Sequence, residues 1–149
     1  MSEPVDLASL TGLEQLQAMV AGSISVPIGR TLGYRAIEVE KGRVVFEGTP
    51  TLAAYNPIGS VHGGWMATLL DSACACAVHS MLNPGQAYTT LEIKTVFHKA
   101  LKADIPVRAE GRIVQMGRRA GFAEADLRGV DGTLYATATS TCLVMERPR

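Results

Sequence analysis

The sequence predicts an α+β fold in which about six antiparallel strands form one curved sheet around a single long helix. Three observations predict it. After Gly63-Gly64, the stretch from Asn56 to Asn83 becomes a long run of helix formers and small apolar residues. Two strand-like runs precede it and four follow it, an order that suits an antiparallel sheet better than alternating βα units. The helix is apolar nearly all round, through Trp65, Met66, Leu69, Leu70, Ala73, Cys74, Ala77, Val78 and Met81. Such a helix must be covered on most sides, and a wrapping sheet covers it. Small residues at Ala67, Ala73, Ala75 and Ala77 would let strands approach closely.

Each element has its own signal. Residues 1 to 10 read as frayed. Gly12 to Val20 places Leu13, Leu16, Met19 and Val20 between polar residues, the pattern of a short amphipathic helix that Gly22 stops. Ile24 to Leu32 reads as irregular, punctuated by Pro27 and Gly29. These residues, 1–32, form an N-terminal extension, and 33–146 form one domain. Gly33 to Glu40 opens the sheet, and Val44 to Gly48 returns after the Lys41-Gly42 turn as a hairpin. Pro50 to Tyr55 leaves the sheet, and the central helix runs from about His62 to Leu82 before Asn83-Pro84-Gly85 ends it. Strands follow over Tyr88 to His98, Ile105 to Met116, Ala120 to Leu127 and Thr133 to Met145. Gly117-Arg118-Arg119 and Val130-Asp131-Gly132 are the turns between the last three.

Composition bounds the function. The 149 residues are 47% apolar and 19% charged, with a formal net charge of zero, which suits one domain with a real core. Without net charge or a basic patch, nucleic acid and anionic membrane are poor partners. The N-terminus lacks a basic start followed by an apolar core, and the most apolar stretch is interrupted by Asp71, Ser72 and His79. Three cysteines, an odd number, argue against a disulfide framework and fit a reducing, cytoplasmic setting. Cys74 and Cys76 point roughly 200° apart on a helix, so they read as small buried thiols rather than metal ligands. His62, His79 and His98 match no zinc spacing, and no metal is expected.

One residue does not fit the apolar helix. Between Glu47 and Glu92, Asp71 is the only Asp, Glu, Lys or Arg. A lone carboxylate there is costly to bury without a partner. Eight residues earlier, Gly63-Gly64 opens the helix with free backbone N–H groups in a region of positive partial charge. That arrangement can hold an anion or a developing oxyanion. The bland readings are a tight helix entry for the glycines and a backbone cap for Asp71. Gly63 and Asp71 lie roughly 12 Å apart along one helix, so one small reacting group cannot touch both. If both act on one substrate they come from different chains, and a two-fold dimer with antiparallel central helices would bring them together twice.

Asn56-Pro57-Ile58-Gly59-Ser60-Val61-His62-Gly63-Gly64, with Asp71 nine residues after His62, closely resembles the hotdog-fold acyl-CoA thioesterases. The nearest type is the PaaI-like group of phenylacetate pathways, related to 4-hydroxybenzoyl-CoA thioesterases. The resemblance covers about Gly33 to Met145. It implies the hotdog fold and dimers that commonly pair into tetramers. It implies that the Gly63 N–H polarises the thioester carbonyl and that Asn56 and His62 orient the thioester or the attacking water. Asp71 of the partner chain would be general base or nucleophile. Thr90, with Thr89 one register away, matches the Ser or Thr that holds the water or the acid in the strand after the helix. The implied substrate is a small aromatic or medium-chain acyl-CoA, with no separate cofactor.

A thioester is already activated, so an oxyanion hole and a carboxylate that aligns water can suffice. His62 sits at the helix entrance, where a positioning role fits better than proton transfer. Arg118 and Arg119 at a strand turn, with Lys99 and Lys102 after the third strand, are candidates for the CoA phosphates; a solvated hairpin tip is their plainer reading. Tyr55, Trp65 and Phe97 are candidates for lining the acyl pocket. Two other readings of the resemblance are a hydratase and a non-catalytic acyl-CoA-binding module. Hydratases sharing the fold often need His five residues after the Asp, where this chain has Cys76. Regulators usually carry an added DNA-binding segment, for which residues 1–32 are short and neutral.

Overall fold

A computed structural model describes Pro4 and residues 6–148. The chain enters through a single 3-10 turn, Leu7–Ser9, capped by the Asp6 carboxylate. The expected fraying of residues 1 to 10 therefore fails where that turn forms; 1–3 and 5 lie outside the described residues. Helix α1 spans Gly12–Val20 as expected, opened by a reciprocal capping box between Thr11 and Glu14. The stretch expected to be irregular contains a second short helix, α2, Pro27–Leu32. Its punctuation is the reason: Pro27 sits in the first turn, where its missing N–H costs nothing, and Gly33 closes the helix in the left-handed region.

Six strands follow in two groups. Strand β1 is Tyr34–Glu40 and β2 is Arg43–Gly48. After the central helix α3, Gly63–His79, come β3, Gln86–Phe97, β4, Val107–Met116, β5, Ala120–Gly129, and β6, Leu134–Glu146. Helix α3 stops three residues before the expected Leu82. The Ser80 hydroxyl donates to the Ala77 carbonyl at 2.6 Å and accepts from the Gly42 N–H at 2.8 Å, which ties the helix end to the β1–β2 turn.

All pairings are antiparallel, in the order β1-β2-β4-β5-β6-β3. Chain neighbours β3 and β4 do not pair. Instead β3 crosses to the far side and pairs with β6, which leaves β1 and β3 as the two edges. The segment between β3 and β4 runs back past the start of α3, where the Val61 N–H donates to the Leu101 carbonyl at 2.9 Å.

The sheet curls around α3 because its inner face is built from small residues. Ala109, Ala123, Ala125, Ala136, Ala138 and Cys142 are buried there against Leu69, Leu70, Ala73, Cys74 and Val78. Gly111 is the closest approach: a Cβ at that position would collide with the Ala73 carbonyl. The outer face of β1, β2, β4 and β5 carries alternating Arg and Glu, including Arg43–Glu110 at 3.1 Å and Arg112–Glu124 at 3.2 Å. This is the period-2 alternation of a sheet with one face in the core and one in water. Among the described residues no helix is long and apolar enough to cross a membrane.

Candidate active site

The loop before α3 is fastened by its own first residue. The Asn56 side-chain carbonyl accepts from the N–H groups of Ile58 at 3.0 Å and Ser60 at 3.2 Å, and its amide donates to Ser60 Oγ at 3.1 Å. The Lys102 ammonium donates to the Gly59 carbonyl at 2.7 Å. The His62 N–H donates to Ala54 at 2.7 Å. Asn56 is thus an internal strut that delivers His62 and Gly63 in one place, with one amide hydrogen left over.

His62 is the N-cap of α3. Its Nδ1 accepts from the Gly64 N–H at 2.8 Å, so the ring proton of the neutral imidazole is on Nε2, a donor. The Gly64 N–H is therefore spent on the cap. The Gly63 N–H, first in the helix, has no acceptor among the described residues. Phe97, half exposed at the end of β3, lies against Gly63: a Cβ there would be 2.9 Å from the Phe97 ring.

Two turns further on along α3, Asp71 is half-buried. Thr90 Oγ1 donates to Asp71 Oδ1 at 3.3 Å. Thr90 faces inward beside a bulge at Leu91, where β3 and β6 slip register, whereas Thr89 is exposed. Bulges re-aim side chains in this way. Ser72, next to Asp71, is 3.0 Å from the Tyr34 hydroxyl, reaching in from β1. Burial, with the Asp71 charge adding, pushes the thiols of Cys74 and Cys76 up to about 12, so both stay protonated at neutral pH.

Within one chain the structure gathers Asn56, His62, Gly63 and Phe97 at the start of α3, and Asp71 with Thr90 roughly 12 Å along it. The basic candidates divide as well. Lys99 follows β3 near the start of α3, while Arg118 and Arg119 sit at the β4–β5 tip, beside the α3 C-terminal half where Gly121 packs on Val78. Of the aromatic candidates, Trp65 is buried and donates to the Leu32 carbonyl at 2.9 Å, and the Tyr55 hydroxyl accepts from the Ala103 N–H at 3.0 Å. Of the three, Phe97 is the one whose ring lies against Gly63. His79 bonds to Gln15 and His98 to Thr137. Sequence reasoning did not pair Tyr34 with Ser72; the visible signal was a second polar residue beside Asp71 in an apolar helix. Among the described residues, no three His, Cys, Asp or Glu side chains cluster to hold a metal ion.

The family model described as the thioesterase superfamily matches residues 58–136. No curated protein matches the chain. Among solved structures, a phenylacetic acid degradation-related protein from Ralstonia eutropha is 31% identical, with a TM-score of 0.78 over 86% of this chain and 98% of that one. A thioesterase family protein from Silicibacter pomeroyi is 28% identical, with a TM-score of 0.79 over 88% and 98%. A hypothetical thioesterase protein from Streptococcus pneumoniae, solved with coenzyme A, is 25% identical, with a TM-score of 0.72 over 80% and 93%. With its six-stranded sheet curled around α3 and a motif, Asn56 to Gly64, that overlaps the start of the matched region, this chain belongs to the thioesterase superfamily, as a thioester hydrolase with the hotdog fold of the PaaI-like group.

Proposed function

We propose that the protein hydrolyses the thioester of a small aromatic or medium-chain acyl-CoA, in the cytoplasm and without a separate cofactor, at sites shared between two copies of the chain. The observation that carries this reading is the division of the site. The uncommitted Gly63 N–H and the Thr90-held Asp71 carboxylate lie too far apart on one helix to meet at one carbonyl. The edge strand supports a dimer. Strand β3 has one free side, exposes Leu91, Val96 and Phe97, and carries Thr90. An unpaired edge is a template for a second copy. Pairing of dimers into a tetramer is part of the same proposal.

In this reading the Gly63 N–H donates to the thioester oxygen as negative charge develops on it, where one such donor contributes roughly 2.7–4 kcal/mol of barrier lowering. The partner's Asp71 takes a proton from water or attacks directly. Thr90 fixes one of its oxygens and leaves the other for that step. His62 caps the helix and presents Nε2–H as a further donor, and Asn56 holds the loop that aims both. Lys99, Arg118 and Arg119 are the proposed phosphate contacts, and Phe97 lines the acyl end. The CoA bound to the Streptococcus pneumoniae protein supports the carrier, and the Ralstonia eutropha relative supports an arylacetyl group.

The test is thiol release from a panel of aromatic and aliphatic acyl-CoAs by the wild type and Asp71→Ala, with oligomeric state followed by light scattering. Turnover should collapse in the variant while the assembly stays intact. Equal rates would remove Asp71 from the mechanism.

A further inference from the structure

A cleft of about 820 Å³ lies away from these residues, between the N-terminal segment and the β1–β2–β4 end of the sheet. Its volume is in the range that holds small organic ligands. The apolar wall includes Met19, Ile24, Val26, Ala36, Phe46 and Val107. The charged side chains on it are Arg30, Arg35 and Arg108 against the single carboxylate of Glu47. Glu47 is taken chiefly by Arg35, at 3.1 Å. Arg108 is only loosely engaged, 3.9 Å from Glu38 and 4.0 Å from Glu47. Arg30, in the last turn of α2, has no carboxylate within ion-pair distance among the described residues.

An apolar cleft with two under-used guanidinium groups at its rim fits a molecule with an apolar body and an anionic head. None of Asn56, His62, Gly63, Asp71 or Thr90 lines it. Tyr34 stands between the two regions: its ring lines the cleft, while its hydroxyl is held by Ser72 on α3.

We propose that this cleft is a second binding site, for an amphipathic carboxylate whose acyl or aryl body fills the apolar wall and whose head group meets Arg30 and Arg108. Free acids of the kind that thioester hydrolysis releases have this chemistry. The inference does not rest on the shared catalytic site, and would hold for a chain whose Asp71 played no part in turnover.

The protein carries its own reporter. Trp65 is the one tryptophan in the chain. It packs behind Gly48, a cleft residue at which a Cβ would be 3.3 Å from the indole. Sodium decanoate, kept below micelle formation, is titrated into the intact protein while Trp65 fluorescence and calorimetric stoichiometry are followed. The neutral 1-decanol is titrated in parallel. One decanoate should bind per chain, and decanol more weakly. Replacing both rim groups, Arg30→Gln with Arg108→Gln, should weaken decanoate about tenfold or more, the scale of a lost charge-assisted contact. Ala36→Phe should abolish binding by filling the cleft, and Asp71→Asn should leave it unchanged. The rim variant is on the surface and tests the proposal even if Ala36→Phe folds poorly. Absence of saturable binding overturns the proposal. So does binding that ignores the rim variant, or that is lost in Asp71→Asn.

Discussion

Thr90 donates to one oxygen of Asp71, and among the described residues the other has no hydrogen-bond partner. If that free oxygen does the chemistry, Thr90 acts by aiming the carboxylate. Thr90→Val, which keeps the shape and removes the hydroxyl, should then lower kcat about tenfold with KM little changed, as expected for a hydrogen bond to a charged group that matters in the transition state. A merely structural role would lower the melting temperature and leave kcat alone, so steady-state rates beside a melting curve decide between them. Asp71 was legible in the sequence because it stands alone among uncharged residues, and Gly63 because it follows His62 at the helix entrance. Asn56 was legible as part of the motif, but its partners Ile58 and Ser60 were not, because a side chain that bonds its own loop leaves no periodic trace. The Tyr34–Ser72 contact joins positions 38 residues apart, and only the folded sheet brings them together.

At the scale of elements, the fit of α3 into the sheet rests on absent side chains. Gly111→Ala would drive a methyl group into the Ala73 carbonyl, and neither backbone can yield cheaply. The expected loss is about 1–3 kcal/mol, the usual cost of overpacking, read as a lower urea midpoint at unchanged slope. The N-terminal extension is clasped to the other end of α3. Gln15 Oε1 is 2.7 Å from His79 Nε2, and the Gly12 N–H donates to the Leu82 carbonyl at 3.0 Å. Burial, with the Arg147 charge adding, holds the His79 imidazole down at about 4, against 6.5 in the unfolded chain. Between those values the unfolded state binds the extra proton. The contribution is therefore complete above pH 6.5 and is lost as pH falls toward 4, on the order of 3 kcal/mol in all. His79→Gln should flatten that acid limb in a series of melting temperatures against pH. Helices α1 and α3 and the six strands were readable from periodicity and punctuation, whereas α2 was not, because Pro27 and Gly29 read as breakers. The pairing of β3 with β6 was not, because strand order depends on where the connection after β3 runs rather than on the strands it joins.

For the whole molecule, the decisive question is whether one chain or two make a site. Asp71→Ala would remove the carboxylate from one chain, and Gly63→Pro would remove the N–H from another. Proline is tolerated in the first helical turn, where that N–H has no helical partner, although its ring must shift Phe97. Each variant alone should be nearly inactive. Unfolded together at equal amounts and refolded, half the dimers should pair one chain of each kind. In such a dimer one site combines the intact Gly63 of the first chain with the intact Asp71 of the second, and the other site lacks both. Thiol release should then recover to about a quarter of the wild-type rate, since half the dimers carry one working site of two. A site built within a single chain would recover nothing, because every chain in the mixture would still lack one of its own two groups. Recovery followed against the mixing ratio, with a maximum at equal amounts, separates complementation between chains from contamination by refolded wild type.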